Sequence, residues 1–261
     1  MTLTPLVAMT IAGSDPSAGA GIQADLKTFA AYRLYGLSVV TAVTSQNSRG
    51  VDDVFPVPAT VVGTQLAAVL SDFKPAAVKV GMLATAEIAG VVAAKAREGA
   101  LPNLVLDPVL SSSSGFRLGV TAAAKRLLPY ATVVTPNRDE ASALVGWQVA
   151  TTADMAGAAA QLAADGAKYV VVTGGDAAGD EAVDAMWTPA GARFLHAPRV
   201  ATRNTHGTGC TFSAAIAARL ALGDSVPDAL VAAKEYVTRT LQAAVDWQLG
   251  GGQGPLNHFG F

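Results

Sequence analysis

The chain is short of cysteine, of charge and of aromatic rings: one Cys, 15% charged and 6% aromatic residues in 261. A single thiol, Cys210, makes no internal disulfide, which excludes a disulfide-stapled scaffold and leads us to expect a reducing, cytoplasmic compartment. Charge is balanced as well as scarce, 18 basic against 20 acidic side chains for a net charge of -2. That supplies no electrostatic footprint for nucleic acid or an anionic membrane surface. No stretch is long and apolar enough to span a bilayer. Residues 1–13 lack the basic region of a signal peptide and read as a first strand. The phosphate-binding sequence G-x-x-x-x-G-K-[ST] is also missing.

What is present is apolar: hydrophobic residues make up 51% of the chain. Apolar runs of strand length at 6–12, 37–43, 76–80, 103–106, 131–134 and 168–173 alternate with helix-length segments near 22–33, 59–72, 85–98, 121–128, 138–145 and 152–165. The runs are continuous rather than alternating, as a parallel sheet covered on both faces requires. This predicts a doubly wound, mostly parallel α/β sheet with helices on both faces, in a single domain over residues 1–261. Segments 181–187 and 192–196 predict a hairpin, followed by helices near 209–222 and 226–247. Residues 44–58, with Gly50, Pro56 and Pro58, predict a small flap at a sheet edge.

Ligands of such sheets bind beyond the carboxyl ends of the strands, and the strand exits here are polar or glycine-rich. Gly19-Ala20-Gly21 with Ala24 fits the dinucleotide pattern G-x-G-x-x-[GA], but Thr44, Ser45 and Gln46 stand where a ribose-binding acid belongs. A turn needing flexible backbone is the plainer reading. Asn204-Thr205-His206-Gly207-Thr208-Gly209-Cys210-Thr211-Phe212-Ser213 leads into an apolar helix. Free amides at a helix start, with glycines that permit close approach, make an anion hole for a phosphoryl group from Gly207, Thr208 and Gly209. Cys210 falls in the first turn, where the helix dipole is expected to lower its pKa and let it accept a proton. An inert core thiol is the alternative. Asn137 and Glu140, one turn apart, suit Mg²⁺ held through its waters, or equally a capping box; the two are compatible. Asp107 is a further carboxylate at the same rim, and neither His196 nor His258 has a ligand spacing.

These residues converge on a family. Ala12-Gly13-Ser14-Asp15-Pro16-Ser17-Ala18-Gly19-Ala20-Gly21-Ile22-Gln23-Ala24-Asp25-Leu26-Lys27, with Lys79-Val80-Gly81-Met82-Leu83, Leu106-Asp107-Pro108-Val109, Thr135-Pro136-Asn137-Arg138-Asp139-Glu140 and Thr205-His206-Gly207-Thr208-Gly209-Cys210, closely resembles the hydroxymethylpyrimidine/phosphomethylpyrimidine kinases of thiamine synthesis. These belong to the ribokinase-like superfamily. The resemblance runs from about residue 6 to 254–258. It implies ATP-dependent phosphorylation of 4-amino-5-hydroxymethyl-2-methylpyrimidine and then of its monophosphate. It further implies a pyrimidine pocket lined by Ala20, Asp25, Gln46, Met82 and Val109, with Asn137 and Glu140 at Mg²⁺ and phosphate. Gly207 to Cys210 would then form the anion hole and supply the base, with ATP over Thr173, Gly174 and Thr208, in a homodimer. Two departures remove basic side chains that would contact phosphates and bear on the second phosphorylation: Ser111-Ser112-Ser113-Ser114-Gly115, and Thr173 before Gly174-Gly175. A pyridoxal or pyridoxine kinase shares this architecture, a hydrolase would pair Cys210 with His206, and a non-catalytic binding module would form no ADP.

Overall fold

The computed structural model of the chain describes residues 4–110, 118–175 and 179–259. Strands and helices follow in the order β1 (Val7–Ser14), α1 (Gly21–Ala31), β2 (Tyr35–Asn47), β3 (Gly50–Pro56), α2 (Ala59–Asp72), β4 (Ala77–Val80), α3 (Ala86–Arg97), β5 (Leu104–Leu106), α4 (Thr121–Leu127), β6 (Val133–Val134), α5 (Arg138–Val145), α6 (Thr152–Ala164), β7 (Tyr169–Val172), β8 (Glu181–Thr188), β9 (Gly191–Pro198), α7 (Thr208–Ala221) and α8 (Val226–Gln242). One sheet carries the strands in the order β3-β2-β1-β4-β5-β6-β7-β8-β9. Pairing is parallel from β2 through β7 and antiparallel at both ends, β2 with β3 and β7 through β9. The doubly wound, mostly parallel architecture expected of the ribokinase-like resemblance is present.

Successive strand residues point to opposite faces, and the two cores divide on that rule. Met9, Ile11, Val78, Val80, Leu104, Leu106, Val170 and Val172 face α2 through α6. Ala8, Ala77, Val105, Val133 and Val171 face α1, α7 and α8. The second face is built of small residues, and α7 answers with Ala214, Ala215, Ala217 and Ala218, all without solvent exposure. Small residues on both sides let α7 lie close against the strand ends, which brings its N-terminus to the sheet rim.

Three elements depart from the expected bounds. β2 runs on to Asn47 because its polar end pairs antiparallel with β3, with a register shift between Ser45 and Gln46 that re-aims the last side chains. β6 shrinks to Val133–Val134. The helix expected to reach residue 247 stops at Gln242, and the buried Asn204 amide donates to the carbonyls of Ala244 and Trp247 beyond it. A side chain thereby takes up the carbonyls that a further turn would have used.

Candidate functional site

The site grows out of the second face. Two residues on from Ala8, Ala77 and Val105, the same face of neighbouring strands carries Thr10, Lys79 and Asp107, all buried. Such side chains beneath two helices need partners. α1 supplies Asp25, whose Oδ2 accepts from Thr10 Oγ1 at 2.6 Å and from Lys79 Nζ at 3.0 Å. α7 supplies Ser213, whose hydroxyl donates to Asp107 Oδ2 at 3.0 Å. Lys79 Nζ lies 3.8 Å from Asp107, between the two carboxylates. Burial pulls the ammonium toward neutrality, but Asp25, Cys210 and Asp107 outweigh it and keep Lys79 above its usual range. Burial raises both carboxylates against the pull of Lys79. Replacing Lys79 by Met removes the cation from between them, and a loss of about 3–5 kcal/mol in unfolding free energy is expected. Urea denaturation checks this; a variant as stable as the wild type would show the carboxylates to be neutral.

Cys210 sits in the first turn of α7 beside this cluster, near enough to Asp107, Lys79 and the Gly21 amide for each to act on the proton affinity of its thiol. The expected lowering of its pKa is reversed. Burial, with Asp107 and Asp25 nearby, pushes the thiol up to about 12 despite Lys79 and the Gly21 amide. The cost of burying a thiolate, with the two carboxylates adding to it, outweighs the helix start.

The N-terminus of α7 is glycine-dependent for a physical reason. Gly207 takes φ +85° as N-cap, and a Cβ there would collide with the Gly19 carbonyl. Thr208 spends its amide and hydroxyl on the Thr205 carbonyl, so its side chain is turned back into the loop. Thr211 N–H opens the helical ladder on Gly207, leaving the amides of Gly209 and Cys210 with no backbone acceptor among the described residues. A Cβ on Gly209 would meet nothing within 4 Å. Two amides without a backbone acceptor among the described residues therefore stand next to the thiol.

Asp15 gathers the loop after β1. Its Oδ1 accepts from the Ser17 amide and hydroxyl, and its Oδ2 accepts from the amides of Gly19 and Ala20 and from His206 Nε2 at 2.8 Å. Burial acts to raise this carboxyl, yet the donors from His206, Ser17 and Ala20 hold it down at about 2. His206 is thus tied to Asp15, and no hydrogen bond joins it to Cys210 among the described residues, so the pairing that a hydrolase needs is not formed there.

On the other side of Asp107, Asn137 and Glu140 form both halves of a capping box: Asn137 Oδ1 accepts from the Glu140 amide, and Glu140 Oε2 accepts from the Asn137 amide, each at 2.9 Å. Among the described residues Glu140 Oε1 has only a long contact, 3.4 Å, from the Leu110 amide. Burial first, then Asp107, push Glu140 up to about 8. No group of three or more His, Cys, Asp or Glu arranged for a metal occurs among the described residues. Two buried carboxylates that repel one another fit a hydrated divalent cation better than one held by protein ligands alone.

Of the expected pyrimidine-lining residues, Ala20 contributes its amide to Asp15 and Met82 reaches toward Gly13 from a backbone held by Thr41. Val109 follows the Asp107 turn, and Gln46 approaches both His206 and Thr44. Asp25 has no exposure at all and serves the Lys79 cluster rather than an open wall. Gly174 is also not an open nucleotide contact: its amide donates to Asp184 Oδ1 at 3.0 Å and a Cβ would strike the Val183 carbonyl, so it shapes the turn beside the partly exposed Thr173. Ser111 to Gly115 lie outside the described residues. A surface groove of about 380 Å³ between β9 and α8 shares none of these groups. Sequence reading gave Asp15, Lys79 and Ser213 no role. Lys79 had a signal, a charged residue inside an apolar strand, since Lys is almost never fully buried without a partner.

Residues 15–257 match the family model described as phosphomethylpyrimidine kinase. A hydroxymethylpyrimidine/phosphomethylpyrimidine kinase of Streptomyces coelicolor is 46% identical over 260 residues, covering 98% of this chain and 95% of the relative. Among solved structures, an ADP complex of Bacillus subtilis pyridoxal kinase superposes with a TM-score of 0.88 at 40% identity, covering 98% of both chains. Staphylococcus aureus pyridoxal kinase with AMP-PCP and pyridoxal gives 0.90 at 36% identity, covering 99% of this chain and 95% of the other.

Proposed function

From the premise that this chain belongs to the phosphomethylpyrimidine kinase family, we propose that it transfers the γ-phosphoryl group of ATP to the 5-hydroxymethyl group of 4-amino-5-hydroxymethyl-2-methylpyrimidine, and then to the resulting monophosphate. The observation that carries this reading is the pair of amides at Gly209 and Cys210 with no backbone acceptor among the described residues, beside a thiol close to a buried carboxylate. Phosphoryl transfer asks a protein chiefly to position and to neutralise. The amides would receive the transferring group's oxygens. As the alcohol oxygen attacks phosphorus, its proton passes to the sulfur of Cys210 while the thiol proton passes to Asp107, whose raised affinity for a proton suits it to that end of the relay. This replaces a resident thiolate, which the thiol's upward shift disfavours.

The nucleotide would lie over the strand exits at Thr173 and the N-terminus of α7, with Gly174 setting the turn. Mg²⁺, held through its waters by Asp107, Asn137 and Glu140, would neutralise phosphate charge. The reading includes a homodimer in a reducing cytoplasm, and light scattering measures the first of these.

A second reading has its own support, because the solved pyridoxal kinases superpose over nearly the whole chain. ADP release from ATP over a panel of the pyrimidine alcohol, pyridoxine and a sugar alcohol separates the two. Gln46 offers a donor and an acceptor in one plane to a ring nitrogen beside an exocyclic amine. Pyridoxine lacks that amine, and a preference of about 10²-fold or more in kcat/KM for the pyrimidine is expected in the wild type. Gln46→Leu should weaken the pyrimidine far more than pyridoxine. Equal efficiencies in the wild type would move the pyridoxine reading into first place.

A further inference from the structure

The environment of the Gln46 amide carries an inference that rests on the function proposed above and goes beyond it. Gln46 Nε2 stands 3.3 Å from His206 Nε2, and its Oε1 stands 3.4 Å from Thr44 Oγ1. Both neighbours are already committed. Thr44 donates its one hydroxyl proton to the Ser14 carbonyl at 2.8 Å, so toward Gln46 it offers only a lone pair. His206 Nε2 lies 2.8 Å from Asp15 Oδ2, which also accepts the amides of Gly19 and Ala20. An ionised carboxylate at that distance requires a proton on Nε2, whether the imidazole is neutral or charged. Toward Gln46, therefore, His206 shares that same N–H as the longer arm of a three-centre bond whose shorter arm goes to Asp15, and Thr44 is an acceptor. A half-turn of the amide places its oxygen on His206 and its NH₂ on Thr44 and satisfies both contacts; the opposite orientation sets donor against donor.

We propose that His206, held in its Nε2–H form by Asp15, is a positioning residue that locks the Gln46 amide in one orientation and so makes the site selective for a 4-amino over a 4-oxo pyrimidine. The His206 ring is itself fixed. Its amide donates to the Gly254 carbonyl at 3.0 Å, and the ring lies so close to Gly19 that a Cβ there would collide with it. With one amide proton spent on Thr44 and one lone pair on His206, Gln46 keeps one donor and one acceptor for substrate, in a fixed spatial order. The amino pyrimidine presents a ring-nitrogen acceptor beside an amine donor. Its 4-oxo analogue presents a ring N–H donor beside a carbonyl acceptor, the same edge with the order reversed. A free amide flips to serve either edge, whereas a locked one serves only one.

The test compares kcat/KM for the 4-amino alcohol and its 4-oxo analogue in the wild type and in His206→Phe, which fills the ring's place without a polar atom. The wild type is expected to favour the amino substrate by about 10²–10³-fold, and the variant to bring that ratio within about tenfold, through loss on the amino substrate and gain on the oxo one. A purely structural role for His206 would lower both efficiencies together, and an unchanged ratio overturns the proposal. So does a wild type that does not discriminate. Failure to form ADP with either alcohol overturns the functional reading beneath it, a result distinct from active enzyme with an unchanged ratio. Should His206→Phe not fold, ¹⁵N-histidine NMR of the unaltered protein decides: protonated Nε2 on His206 supports the lock, and an Nδ1–H tautomer with bare Nε2 overturns it.

Discussion

Replacing Cys210 by Ala is expected to lower kcat by about 10²–10⁴-fold while leaving nucleotide affinity nearly unchanged. Ser213 also reaches Asp107, but its hydroxyl donates there and to the carbonyls of Gly209 and Cys210, so on the proposed path loss of the thiol removes the proton acceptor and leaves the α7 amides in place. The pH profile distinguishes two versions of this role. A resident thiolate whose pKa is pushed up to about 12 would make kcat climb about tenfold per pH unit through the alkaline range, because the active form would be rare at neutrality. The relay starts from a protonated thiol and an ionised Asp107. It predicts a flat profile around neutrality and a fall on the acid side, as Asp107, its affinity raised by burial, takes up a proton before turnover. Asp107→Asn should lower kcat at least as far as Cys210→Ala at neutral pH, since it removes the end of the relay and one of the groups proposed to hold hydrated Mg²⁺. A Cys210→Ala enzyme that keeps most of its kcat would reduce the thiol to packing.

The fold was legible because its signals are local. Continuous apolar runs marked β1, β4, β5 and β7, and the segments between them became helices within a few residues of their expected bounds. What escaped were features decided by contacts distant in sequence. The polar end of β2 is a strand only because β3 pairs with it, and α8 stops where it does beside the carbonyls claimed by Asn204, some forty residues earlier. The site divides in the same way. Gly207, Gly209 and Cys210 could be read from one stretch, since a glycine-rich helix start is a local motif. The capping box of Asn137 and Glu140 likewise lies within a single turn. The partnership of Asp15 with His206 spans 191 positions, and that of Lys79 with Asp25 spans 54. No local pattern announces either. The direction of the Cys210 shift escapes the sequence for the same reason: a helix start is visible locally, while the burial of the thiol and the carboxylates packed beside it are decided by distant parts of the chain.

A Val at position 209 is expected to lower kcat by about 10²–10³-fold, on the scale of losing one donor of an oxyanion hole, in a protein that remains folded. The contrast with its neighbour makes the experiment clean. Gly207 is required by the chain itself, through its left-handed backbone and its contact with the Gly19 carbonyl, so Gly207→Ala should unsettle the loop and lower stability along with activity. Gly209 has no such constraint: its φ is not among the positive values, and a Cβ would meet no atom of another described segment within 4 Å. On the proposed function the phosphoryl oxygens come to the amides of Gly209 and Cys210, one of which belongs to the substituted residue itself. A branched side chain there obstructs the ligand and leaves the protein's own packing untouched, so Tm should stay close to the wild-type value while turnover falls. Thermal unfolding and ADP release measured on the same preparation separate the two effects. Wild-type turnover by a folded Gly209→Val protein would remove the anion hole from the N-terminus of α7.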